Sequence, residues 1–181
     1  MTEKLLIALI AGLLLWVVKA TVSHWIKRTR FRAALLVDIK SHLEGAKEQK
    51  GATKVLVEET IEVGKKVPFP ISYFIDSYNF YSSVQKELPS YLTEAELVKV
   101  IKFYQAIWQL DVSLNGLATT IGVWERDGEN ITKANIVHLK KRLARVTSFC
   151  DCLTAKEINK ISDLPDDYRQ VKDAETVVAK T

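Results

Sequence analysis

The sequence predicts an all-α chain, with one N-terminal transmembrane helix continuing into a helical-bundle cytoplasmic domain. Three observations lead there. Residues 5–18 are apolar without interruption. In the longer segments that follow, apolar residues recur three and four apart, the period of a single helix face. Gly and Pro number only 7 and 4 among 181 residues, too few breakers for a many-turned β fold. A chain of this length holds one core-forming domain beside an anchor. The expected divisions are an anchor over 1–26, a basic juxtamembrane neck helix over 27–50, a bundle over 51–164 and a flexible polar tail over 165–181.

The anchor comes first. Residues 5–18 alone reach about 21 Å, short of a hydrocarbon core of roughly 30 Å; extension to Ile26 gives about 33 Å. Lys19 is the obstacle, and its long side chain can snorkel to the headgroups, while Trp16 and Trp25 suit the interfacial belt. Leu5, Ala8, Gly12, Trp16, Lys19 and Trp25 are therefore the expected anchoring residues. Ala8 and Gly12 also make a small-xxx-small pair of the kind that lets two such helices approach. Two rivals fit less well. A cleaved leader could end at Val18-Lys19-Ala20, but a dense basic cluster follows and opposes export. A buried core helix of such uniform polarity would need protein on every side.

The basic cluster sets the orientation. No acidic residue lies between Glu3 and Asp38, whereas Lys19, Lys27, Arg28, Arg30 and Arg32 do. Positive charge stays inside, so the N-terminus is expected outside a cell inner membrane and the domain in the cytoplasm. Lys27, Arg28, Arg30 and Arg32 are the expected contacts to anionic headgroups, at roughly 1 kcal/mol each near the surface. Much of the net charge of +4 lies here, which argues against reading the basic pI as nucleic-acid binding.

No breaker separates anchor from neck. Phe31, Leu35, Ile39 and Leu43 fall on one helix face, and the helix is expected to end near Gly51. Residues 54–67 fit a short helix slightly better than a strand, for want of a second strand to pair with. Pro68-Phe-Pro70 is a stop, after which Ile71, Phe74, Ile75, Tyr78 and Tyr81 keep helical spacing until Leu88-Pro89. The aromatics crowded here are expected to pack in a core.

Thr93-Glu-Ala-Glu96 has the form of a capping box, opening a helix with a stripe at Leu97, Ile101, Tyr104, Ile107, Trp108, Leu114, Leu117 and Ile121. Asp111 interrupts the stripe and is expected at a partly exposed edge. After a turn at 126–130, Thr132 is expected to cap the last long helix, whose apolar side carries Ile136, Leu139, Leu143, Val146, Phe149 and Leu153. A second box, Thr154-Ala-Lys-Glu157, is expected to start a short helix ending before Pro165. Asn130-Ile-Thr132 has the form of a glycosylation acceptor, without meaning for a cytoplasmic domain.

Catalytic signatures are missing. His24, His42 and His138 stand far apart, and no phosphate loop, nucleophile elbow or Cys-His pairing appears. Cys150 and Cys152 are expected to be reduced thiols, too few for a structural zinc site and poorly placed to bridge each other. The expectation is a non-enzymatic interaction or scaffold domain without cofactor, meeting itself or a protein partner. One patch offers an alternative. Lys140, Lys141, Arg142 and Arg145 on the last long helix could take an anionic, nucleotide-like ligand, making the chain a sensor that perturbs the bilayer through an oligomer.

Overall fold

A single helix, α1 (Thr2–Glu58), accounts for the first third of the chain, and at 57 residues it extends about 86 Å. The computed structural model describes residues 2–58, 75–126 and 133–168, with side chains over 7–54, 80–122 and 136–168. The expectations for 59–74, for the turn at 126–130 beyond Arg126, for the Asn130-Ile-Thr132 triplet, for the Thr132 cap and for 169–181 lie outside these residues. The remaining elements are α2 (Ile75–Val84), α3 (Leu88–Tyr91), α4 (Glu94–Arg126), α5 (Lys133–Thr154) and one 3₁₀ turn (Ile161–Asp163). No strand occurs among the described residues.

The two halves of α1 live in different surroundings. From Ile7 to Ile26 the apolar side chains project outward, Leu15 being 71% exposed, and the helix is long and apolar enough to cross a membrane. From Leu35 onward the same helix enters the core, where Leu35 and Ile39 are fully buried beside Leu43 and Ala46. The expected neck is thus itself a core helix of the bundle. It does not stop near Gly51 but continues to Glu58. A helical glycine costs about 1 kcal/mol, and burial of Ala46, Gln49 and Thr53 on the preceding and following turns outweighs it.

α4 runs alongside α1 in the same direction, since Glu96 meets Arg32 and Tyr104 meets Asp38. α5 returns, with Arg142 beside Gly116 and Thr120, and Thr147 beside Thr53. α1 packs most extensively on α5. The core face of α4 is Val100, Phe103, Tyr104, Ile107, Leu110, Leu114, Leu117 and Ile121, spaced mostly by three- and four-residue steps. Trp108 was expected on that face and lies outside it, 54% exposed, while Phe103 takes the buried place. Of the expected face of α5, Leu139, Leu143, Val146, Phe149 and Leu153 are buried and Ile136 is half-buried.

Two breaks differ from expectation. Pro89 does not end a helix; it sits in the first turn of α3, where its missing N–H has no partner to lose. Thr154 does not cap a new helix. It is the last residue of α5, and its hydroxyl donates to the Cys150 carbonyl at 2.7 Å. After it, Ile158, Ile161 and Leu164 dip into the core at three-residue spacing, and the Asp163 carboxylate accepts the Asn159 and Lys160 N–H groups. That spacing matches a 3₁₀ turn rather than an α-helix. Tyr168, within the expected polar tail, is buried, its ring edge-on to Phe103 with centroids 6.2 Å apart.

Candidate functional site

The chain concentrates polar contacts at two levels of α1. At the first, α3 and the start of α4 meet α1 just beyond its exposed apolar half. Thr93 caps α4 as expected: its hydroxyl accepts the Glu96 N–H, and Glu96 Oε2 accepts the Thr93 N–H and hydroxyl. The same carboxylate takes a fork from Arg32, Nη1 to Oε2 at 2.8 Å and Nη2 to Oε1 at 2.5 Å. These bonds hold the Glu96 carboxyl down near 2, the Arg32 pair contributing most and the Thr93 bonds less. One turn up α1, Arg28 Nε donates to the Tyr91 carbonyl at 3.1 Å. The Tyr91 ring lies 4.8 Å from Phe31 and 5.9 Å from His24. Of the four residues expected at headgroups, Lys27 and Arg30 are exposed, while Arg28 and Arg32 turn into the fold.

At the second level a polar cluster is sealed in the core. The Tyr104 hydroxyl donates to Asp38 Oδ2 at 2.5 Å, and Tyr81 stacks on the Tyr104 ring at 4.2 Å. Burial, and then the carboxylate it binds, push the Tyr104 phenol above its ordinary range, so it remains a donor. His42 is 1% exposed and places Nδ1 2.7 Å from the Asp38 carbonyl. A carbonyl only accepts, so Nδ1 donates to it, and the Asp38 carboxylate lies 3.5 Å from the same nitrogen. Among the described residues Nε2 has no partner. Its ring meets Phe103 and Tyr104 edge-on.

On the basic side of α5, Lys141, Arg142 and Arg145 are exposed and Lys140 is half-buried. Arg142 lies along α4, donating to the Gly116 carbonyl, to Thr120 Oγ1 at 3.0 Å and to His138 Nε2. Asp111 occupies the expected edge position, bonded to Asn115 at 3.1 Å, with its carboxyl raised by partial burial. Cys150 is buried, which pushes its thiol up to about 12, and Cys152 is half-buried; neither is bridged. No group of three metal-ligating side chains comes together among the described residues.

In the apolar half of α1, Ala8, Gly12, Trp16, Lys19 and Trp25 are all exposed, and among the described residues a Cβ added at Gly12 would meet nothing within 4 Å. Leu5 lies outside the described side chains. Thr21, a polar residue between Lys19 and Trp25, donates its hydroxyl to the Val17 carbonyl at 2.8 Å and so satisfies it within the helix.

No family model, curated protein or solved structure matches the chain.

Asp38 and His42 were not among the residues expected to matter. The signal was present in the neck: His42 interrupts the apolar face between Ile39 and Leu43. A polar residue on a buried stripe asks for a partner: His42 finds the Asp38 carbonyl four residues back, and the Asp38 carboxylate takes the Tyr104 hydroxyl, 66 residues away.

Proposed function

We propose that the chain is a single-pass membrane protein whose helical domain lies in the cytoplasm and works by binding, to a second copy or to a protein partner, without catalysis. One observation carries this reading: a single unbroken helix leaves its first half apolar and unburied and spends its second half in the bundle core. Water would expose that first half at about 25 cal/mol per Å² of apolar surface, and lipid removes the penalty. The internally bonded Thr21 hydroxyl supports the same surroundings. The binding role draws support from Val98, Trp108 and Val112, which share an outer face of α4 and are each about half exposed.

Fractionation tests the anchor. After lysis and an alkaline carbonate wash, the full-length chain should stay in the membrane pellet; recovery in the supernatant with residues 1–26 intact rejects the reading. An impermeant maleimide on single cysteines placed at Thr2 and at Glu94 tests the sidedness, with Thr2 expected to label from outside.

A second reading rests on Lys141 and Arg145, one turn apart and exposed on α5. An anionic, nucleotide-like ligand held there would bias an oligomer whose anchors disturb the bilayer. It differs from the first reading by its dependence on those two charges.

A further inference from the structure

We infer that the corner made by α3 and the start of α4, residues 88–94, is a second membrane contact, seated in the headgroup layer of the bilayer that α1 crosses. The inference rests on the anchor reading and adds to it a fixed pose for the domain.

The argument is one of level. If the apolar half of α1 ends at Trp25 and Ile26, the hydrocarbon boundary lies there. The headgroup layer beyond is about 5–8 Å deep on each side. Arg28 follows Trp25 by three residues, about 5 Å along the helix axis. The Tyr91 ring packs on Phe31 and also reaches His24, a residue that precedes Trp25. Tyr91 therefore lies between the levels of His24 and Phe31, within the interfacial depth at which Tyr and Trp concentrate.

The chemistry of the corner suits that depth. Tyr91 closes α3, and its carbonyl lacks a helical successor. Arg28 supplies the missing donor at 3.1 Å, so no bare carbonyl faces the lipid. Arg32 in turn pins the first turn of α4 through Glu96, which prevents the corner from swinging away. Leu88 and Leu92 are buried and hold the corner from beneath, leaving Pro89 and Ser90 exposed at its tip. Lys27, Arg30, Lys86, Glu87 and Glu94 are exposed.

Spin labels on the full-length chain in phosphatidylcholine–phosphatidylglycerol vesicles test it. Single cysteines are introduced at Ser90, at Leu13 in the anchor and at Val137 on the far part of α5, in a Cys152→Ser background. Collision with oxygen, which concentrates in lipid, is compared with collision with a water-soluble nickel chelate. The Leu13 label should favour oxygen and the Val137 label nickel. The Ser90 label should be shielded from nickel several-fold relative to Val137. If Leu13 reads as lipid while Ser90 reads like Val137, the corner is in water and the inference is overturned with the anchor intact. If Leu13 itself reads as water, the anchor fails and the inference falls with it.

Discussion

Arg32 on α1 and Glu96 on α4, 64 residues apart, share two hydrogen bonds while Glu96 also completes the Thr93 capping box. One carboxylate thus ends a helix and fastens that helix to the base of the anchor. Removing either partner strands a charged group that is largely covered, so Glu96→Gln and Arg32→Ala should each cost on the order of 1–3 kcal/mol. A double-mutant cycle on the detergent-solubilised chain should show coupling, and strict additivity would mean the fork contributes nothing.

The same carboxylate sets a pH dependence. Its folded value near 2 lies below the ordinary 4.5, so its stabilisation is complete above about pH 4.5 and fades as pH falls toward 2. The gap in stability between the native chain and Glu96→Gln should therefore close across that window. A gap that stays constant on acidification would show that the charge is not what holds the joint.

Much of this architecture could be read from residue order, and the exceptions have a physical pattern. Local features were legible: the apolar run, the face Leu35, Ile39, Leu43, and the Thr93–Glu96 box are each fixed by neighbours within a few positions. Partnership between distant segments was not. The basic cluster and the capping box were both visible, but nothing in either indicated that Arg32 belongs to Glu96 rather than to lipid. The α4 face failed at Trp108 because helical periodicity tolerates a step of one residue, and only the packing of Phe103 on His42 and Tyr168 decides between neighbouring rows. The end of the chain misled for another reason: Thr-Ala-Lys-Glu has the letters of a box, but three buried apolar residues at 158, 161 and 164 demand a tighter winding.

The division of α1 predicts two contrasting truncations. Ile39→Ala opens a cavity in the core and should lower stability by about 2–5 kcal/mol. Leu15→Ala, on the exposed half, should leave the unfolding of the domain unchanged within about 0.5 kcal/mol. Equal losses at both sites would place the first half inside a protein core.

The buried cluster offers an asymmetric pair. Tyr104→Phe deletes the donor to Asp38 and leaves a partly buried carboxylate short of a bond, at a cost of about 1–3 kcal/mol. His42→Leu gives up the Nδ1 bond to the Asp38 carbonyl but also removes a buried Nε2 that has no described partner, so its cost should be smaller than that of Tyr104→Phe. Chemical denaturation of both variants decides, and a larger loss at His42→Leu would show that His42 contributes more than the Tyr104 hydroxyl.

Thiol chemistry follows from burial. The thiolate is the reactive form, and Cys150 is both covered and shifted up to about 12, first by burial and then by Asp151, with Lys50 opposing. Cys152 is also raised, by burial and then Asp151, but keeps some exposure. A native sample treated with an alkylating reagent should therefore gain one adduct slowly, at Cys152, and a second only with denaturant. Mass spectrometry of the intact chain distinguishes the two stages, and prompt labelling of Cys150 would mean that the lower half of α5 opens from α1 under native conditions.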